Sequence, residues 1–287
     1  MKYPFVKSRT VLITGCSSGI GLATAHYLRR RGWTVIPTAR TYEDLELLKS
    51  QRFTPVELDV ADSKSILTAV TETLKLTGGT LGALVNNAGY GQPGAIEDLS
   101  REAMRAQFET NVFGLQELTN RLIPLFRKEG YGRIVNVSSV LGRIVMPFMG
   151  IYCASKYAVE ALSDALRVEL TGSGISVSIV EPGPIESNFR ERAVRQGSEL
   201  DQEQSHFAEG YKQQLSGPRE YKRVTDPFTK PPEAVAEKIH HALEARKPKT
   251  RYPVTVPAYA GDWAARFIPD RLRDRLMRSR LGRPTST

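Results

Sequence analysis

Residues 9–21 read Arg9-Thr10-Val11-Leu12-Ile13-Thr14-Gly15-Cys16-Ser17-Ser18-Gly19-Ile20-Gly21, and this stretch decides the fold. Residues 9–14 are short, β-branched and aliphatic, and they stop at a glycine, as a buried strand does. Over 19–31 the apolar residues Ile20, Ala23, Tyr27 and Leu28 fall on one face of a helix. Between strand and helix the glycines are spaced G-x-x-x-G-x-G. Glycines there allow a tight turn and let backbone N–H groups approach a pyrophosphate at a helix N-terminus. A dinucleotide site is therefore expected at Gly15, Ser17, Ser18, Gly19, Ile20 and Gly21.

The alternation continues outward. Strands are expected at 33–38, 53–58, 83–86, 132–139 and 175–181, and helices at 42–50, 62–76, 100–128, 152–170 and 233–246. Apolar strands separated by helices belong to a parallel sheet covered on both faces, joined by right-handed crossovers. The expected fold is α/β, a Rossmann-type doubly wound parallel sheet of about seven strands, with 250–256 at an edge because Pro253 would break a central ladder. One domain is expected over 1–257, with a polar segment at 188–230 that reads as a lid, a binding loop or disorder, and a basic amphipathic extension over 258–287.

With 287 residues, 40% apolar and 25% charged, the chain is not wholly disordered, collagen-like or a disulfide scaffold. Two cysteines make no framework of bridges, no apolar run reaches spanning length, and residues 1–8 lack a signal-like apolar core. A cytoplasmic protein is expected. Forty Lys and Arg against 31 Asp and Glu give +9. Such an excess suits an anionic cofactor, an acidic membrane surface or a nucleic acid. No nucleic-acid module is recognisable, so no nucleic acid is expected to bind; no metal site is expected either.

Strand two ends Pro37-Thr38-Ala39-Arg40, without the acid that accepts ribose hydroxyls in an NAD site. Arg40 instead offers a fork of donors to a 2′-phosphate, with Ser17 as a second donor, which favours NADP(H). Asp59, followed by Val60, is placed to accept from an adenine amino group or to cap its own loop. In Tyr152-Cys153-Ala154-Ser155-Lys156 the phenol and the ammonium stand at i and i+4 on one helix face. A nearby cation stabilises a phenolate, making Tyr152 a usable proton donor and acceptor. Thirteen positions upstream Ser139 ends an apolar strand, where a hydroxyl can hydrogen-bond a developing oxyanion.

Taken together these residues resemble the short-chain dehydrogenase/reductases, in their single-domain branch. The matching pieces are the Gly15/Gly19/Gly21 turn, Asn86-Asn87-Ala88-Gly89, Asn111, Ser139, Tyr152, Lys156 and Pro182-Gly183, in the family's order. Within the family the chain is similar to NADP-preferring 17β-hydroxysteroid and retinol dehydrogenases, and still more to bacterial NADP-dependent aldehyde reductases. It implies hydride transfer between NADP(H) and an aldehyde, ketone or matching alcohol. Ser139 would polarise the carbonyl, Tyr152 would donate the proton, and Lys156 would bind the nicotinamide ribose. Asn111 would hold a helix kink and a proton-relay water. The resemblance further implies that Asn87, Ala88 and Gly89 line the adenosine ribose and that Pro182, Gly183, Ile185 and Ser187 meet the nicotinamide, although the family often has threonine at the last position. It also implies a homodimer or homotetramer built on the helices at 100–128 and 152–170.

Fold and tetrad do not set the substrate. The segments 90–96, 141–149 and 188–230 would do so, and Leu141, Val145, Met146, Phe148 and Met149, with Ser139 and Tyr152, suggest an apolar pocket for a lipophilic substrate. Over 263–287 seven arginines stand against two aspartates, a net +5. Residues 259–281 alternate Trp263, Phe267, Ile268, Leu272, Leu276 and Met277 with arginines around Pro269, a pattern of two short amphipathic helices. These can cap the pocket, form a subunit contact or lie on a membrane surface. A second reading is an NADP(H)-binding sensor without catalysis, docked through its basic C-terminus. The intact Ser139/Tyr152/Lys156 set argues against it.

Overall fold

The computed structural model describes residues 2–189, 191–193, 205–214 and 228–278. Along the chain come β1 (Thr10–Ile13), α1 (Gly19–Arg29), β2 (Thr34–Ala39), α2 (Tyr42–Ser50), β3 (Val56–Glu57), α3 (Ser63–Leu76) and β4 (Ala83–Asn86). Then follow α4 (Arg101–Phe108), α5 (Leu115–Glu129), β5 (Gly132–Val137), α6 (Gly150–Glu169) and β6 (Ile175–Glu181). The remainder gives α7 (Ala208–Gln214), α8 (Glu233–Glu244), β7 (Arg251–Pro253), α9 (Val256–Phe267) and α10 (Asp270–Arg278).

The strands form one sheet in the order β3-β2-β1-β4-β5-β6-β7, and every pairing is parallel. Alternate side chains of the central strands enter two cores. Val11, Ile13, Val85 and Val135 pack with Leu28 of α1 and Ile239 and Leu243 of α8. Leu12, Leu84 and Ile134 pack on the other side with Ile66 of α3, Leu118 and Leu122 of α5, and Leu166 of α6. Each fully buried aliphatic side chain contributes about 2 kcal/mol, so apolar residues on both faces hold the sandwich together. Strand order reverses between β1 and β4, and the C-terminal strand ends on either side of that point open a crevice.

Three expectations shift in detail. The strand expected over 53–58 is only Val56–Glu57, because it pairs with just the last two residues of β2. The single helix expected over 100–128 is interrupted by a π-helical turn, Glu109–Gly114. Gly114 there backs onto the loop after β3 so closely that a Cβ would lie 1.7 Å from the Val60 carbonyl oxygen. The tail helices expected over 259–281 are α9 and α10, divided at Ile268-Pro269, with α9 starting at Val256. Residues 279–287 and much of 188–230 lie outside the described residues. Within that segment α7 docks on the loop after β4: Tyr211 is buried, its hydroxyl donating to Asp98 Oδ2 (2.6 Å) and accepting from the Ala95 N–H (2.7 Å).

Candidate active site

The glycine turn is shaped by close approach. Gly15 has φ +71°, and a Cβ there would meet Ala88 Cα at 2.8 Å; a Cβ on Gly21 would sit 2.2 Å from the Gly15 carbonyl oxygen. Asn87 holds the turn from the neighbouring strand, its Nδ2 donating to the carbonyls of Thr14 (2.9 Å) and Gly15 (3.0 Å). The Thr14 hydroxyl accepts from the Asn87 and Ala88 N–H groups. Ser18, the N-cap of α1, makes no side-chain cap bond, and the first turn, Gly19, Ile20 and Gly21, carries no acid. The N–H groups of this helix end are thus left for an anion, which is what a dinucleotide pyrophosphate requires. Ser17 is half-buried beside them. Ser18 Oγ accepts from Arg192 at 3.0 Å, a cation at the turn that the sequence reading did not single out.

Around the turn stand the other expected cofactor residues. Arg40 follows β2, 71% exposed, with its guanidinium 3.7 Å from Asp59 Oδ2. Asp59 Oδ1 accepts from the Ala61 N–H, so it caps its loop as well as facing Arg40. Val60 is buried. After β6, the Pro182 carbonyl accepts from Val140 N–H at 2.9 Å, Ile185 bridges to Lys230, and Ser187 Cβ lies 3.3 Å from where a Gly19 Cβ would be. Gly183 abuts Thr255, whose Oγ1 would be 2.1 Å from a Cβ. Both edges of the crevice therefore converge on the N-terminus of α1.

Ser139, Tyr152, Lys156 and Asn111 meet at the C-terminal end of β5, and all four are buried. The Ser139 hydroxyl accepts from Leu141 N–H at 3.1 Å, and the serine is near enough to the Tyr152 phenol to stabilise its charged form. Ser138 instead lies beside Glu160, both crowding Gly142. Lys156 Nζ donates to the Val137 carbonyl at 2.9 Å and lies 5.8 Å from the centre of the Tyr152 ring. Burial pushes the Tyr152 phenol up and the neighbouring Ser139 hydroxyl offsets part of it, so in this buried site desolvation dominates where the sequence led one to expect a lowering by the nearby cation. Burial also lowers Lys156 to about 8, opposed by the charge of Glu160.

Asn111 sits in the π-helical turn. Its Nδ2 donates to the Tyr90 carbonyl (3.0 Å) and Ser155 Oγ (3.1 Å), and its Oδ1 accepts from Tyr90 N–H (3.1 Å). A Cβ on Gly89 would lie 3.0 Å from that Oδ1 and 3.7 Å from Lys156 Nζ, so the glycine keeps the space between Asn111 and Lys156 open.

The family profile described as short chain dehydrogenase matches residues 9–197. The chain is 43% identical over 272 residues to the uncharacterized oxidoreductase YbbO of Escherichia coli (strain K12), covering 95% of each. It belongs to the short chain dehydrogenases. It is also 34% identical to the NADPH-dependent 3-dehydrocapnine reductase of Ornithobacterium rhinotracheale, covering 93% of this chain and 95% of that one. A short-chain dehydrogenase from Streptomyces avermitilis has a similar structure, at TM-score 0.74 and 30% identity, covering 95% and 96% of the two chains.

Like its relatives, this short chain dehydrogenase is an oxidoreductase acting on alcohol and carbonyl groups. Of the residues expected to meet the substrate, Leu141 and Met146 are half-buried, and Val145 is exposed. Met149 Cε approaches Gly91, and so does Phe189, whose ring lies 5.4 Å from that of Tyr152. Phe148, at φ +61°, is buried against Phe207 and Tyr211, so it anchors α7. Phe189 carried no signal in the sequence, because nothing local ties it to Tyr152.

Behind the site lies a charged cluster that helix spacing could have disclosed in part, since Glu160 follows Lys156 at i+4. Arg251 of β7 contacts Glu160 (3.0 Å), Glu181 (3.4 Å) and Asp164 (2.6 Å). Arg143 lies 4.0 Å from Glu181 and pairs with Asp262 of α9 at 2.9 Å. Burial raises both Glu160 and Glu181, the latter to about 7, with Glu160 adding repulsion.

Proposed function

We propose that this protein reduces the carbonyl of a lipophilic aldehyde or ketone, or oxidises the matching alcohol, with NADP(H). The convergence of Ser139, Tyr152 and Lys156 beside the glycine turn carries this reading. Bound NADPH supplies the hydride. The turn at Gly15, Gly19 and Gly21 and the N-terminus of α1 bind pyrophosphate, while Arg40 with Ser17 meets the 2′-phosphate. Asp59 and Val60 face the adenine, and Asn87, Ala88 and Gly89 line the adenosine ribose. Pro182, Gly183, Ile185 and Ser187 hold the nicotinamide. The absence of an acid at the end of β2, with Arg40 in its place, supports NADP(H) over NAD(H), as does the NADPH dependence of the 3-dehydrocapnine reductase.

Ser139 Oγ donates to the substrate oxygen, and Tyr152 Oη gives that oxygen its proton as it becomes an alcohol. Lys156 binds the nicotinamide ribose, and its charge favours the phenolate left behind. Asn111 orders the path by which Tyr152 is reprotonated from solvent. Leu141, Val145, Met146 and Met149 wall the substrate, joined by Phe189. We further infer a cytoplasmic homodimer or homotetramer that pairs through α4–α5 and α6.

The test is NADPH and NADH oxidation by the purified protein with medium-chain and aromatic aldehydes, a steroid ketone and retinal. Tyr152→Phe is expected to cut turnover at least about a hundredfold while NADPH still binds, followed by its fluorescence. Unchanged turnover overturns the role of Tyr152. Tight NADPH binding with no turnover of any substrate favours the sensor reading.

A further inference from the structure

Helix α9 has its amphipathicity reversed for a helix that only packs on the body. Val256, Tyr259, Trp263 and Phe267, spaced by three and four, share one face and are 59, 56, 59 and 67% exposed. The face toward the protein carries small residues: Ala258 and Gly261 are buried, and a Cβ on Gly261 would lie 2.6 Å from Val140 Cγ2. Asp262 is taken up by Arg143 and Arg266. Folding thus leaves the largest apolar side chains of α9 in water, and a contiguous patch of this kind marks an interaction site. The next helix is strongly basic. Arg271, Arg275 and Arg278 are exposed and fall on one face of α10, while Arg273 pairs with Asp270.

We propose that α9 and α10 dock on the surface of a membrane containing anionic lipid. Tyr259, Trp263 and Phe267 enter the boundary between headgroups and acyl chains, and the α10 arginines meet lipid phosphates. Charge selects this occupant over a second copy of the chain. A two-fold contact would bring two copies of this basic patch, each on a chain already at +9, into one interface with no opposite charge supplied by a partner of different chemistry. Acidic lipid neutralises them instead. Tyrosine and tryptophan are also the residues that settle at headgroup depth. Among the described residues no helix is long and apolar enough to cross a membrane, so the contact is a surface one. Through Gly261 and Asp262 the docked helix rests on the turn that follows Ser139.

The chain's two tryptophans make the test direct. Trp33 is buried and bonded to Glu244, whereas Trp263 is exposed, so a change in emission reports α9. The protein is mixed with vesicles of phosphatidylcholine, alone or with phosphatidylglycerol. A blue shift and co-sedimentation are expected with the anionic vesicles only, both reversed by high salt. Tyr259→Ser with Phe267→Ser is expected to weaken partition about tenfold or more. Arg271→Glu with Arg275→Glu should abolish the preference for anionic lipid, and Trp263→Phe should remove the emission change while keeping sedimentation. All these positions are exposed, and unchanged melting temperatures verify the fold. Failure to bind anionic vesicles, or equal binding to neutral ones, overturns the proposal. So does a blue shift that grows with protein concentration without lipid, which would assign the face to a second copy.

Discussion

Phe189 lies against Tyr152, their ring centres 5.4 Å apart and inclined at 55°. The ring also fills the space beside Gly91, where a Cβ would lie 2.7 Å from its Cζ. Under the proposed function it is a wall that an apolar substrate would touch on reaching the phenol. Phe189→Ala is expected to raise KM for lipophilic carbonyls about tenfold, with kcat less affected and small carbonyls hardly changed. Steady-state kinetics across a chain-length series measures this, and an equal loss for short and long substrates would contradict it.

Arg40 is exposed at the end of β2, with Asp59 Oδ2 as a loose partner. A bidentate guanidinium–phosphate contact contributes about 2 kcal/mol. Arg40→Asp should accordingly raise KM for NADPH by more than about tenfold and lower it for NADH. An unchanged ratio of kcat/KM for the two cofactors would remove Arg40 from the 2′-phosphate site.

Glu160 stands one turn beyond Lys156, and its charge works against the burial that brings the ammonium down to about 8. The proposed mechanism needs the protonated lysine, so kcat/KM is expected to fall as pH rises through that value. Glu160→Gln removes the supporting charge and should move this limb to lower pH. Glu160→Asp should restore part of it. A pH profile that keeps its shape while dropping in amplitude would mean that Glu160 acts through packing alone.

Glu181 is raised from 4.5 to about 7 in the folded state, chiefly by burial. Below 4.5 the carboxyl is protonated whether folded or not, so it carries no penalty. As pH climbs toward 7 the unfolded chain ionises first, and stability is lost progressively. Glu181→Gln is expected to flatten this fall, with Glu160 and Asp164 still pairing Arg251. Melting temperature against pH for the two proteins decides it.

Much of the fold was legible locally. Periodicity placed β1 and α1 around the glycine turn, and i,i+4 spacing put Tyr152 and Lys156 on one face of α6, because both depend on residues a few positions apart. The π-helical turn was hidden, since nothing in 100–128 shows that Gly114 must press on the Val60 carbonyl. Tertiary structure alone brought Arg251 between Glu160 and Glu181, joined Arg143 to Asp262, and laid Phe189 on Tyr152. It alone showed that α9 keeps Ala258 and Gly261 inside and Trp263 outside. The sequence by itself determined which segments become strands and helices and where a phosphate can meet a helix end. Which charges share a buried space and which apolar face stays in water depended on how distant segments cross the sheet, because desolvation is set by all the neighbours of a group and not by its place in the chain.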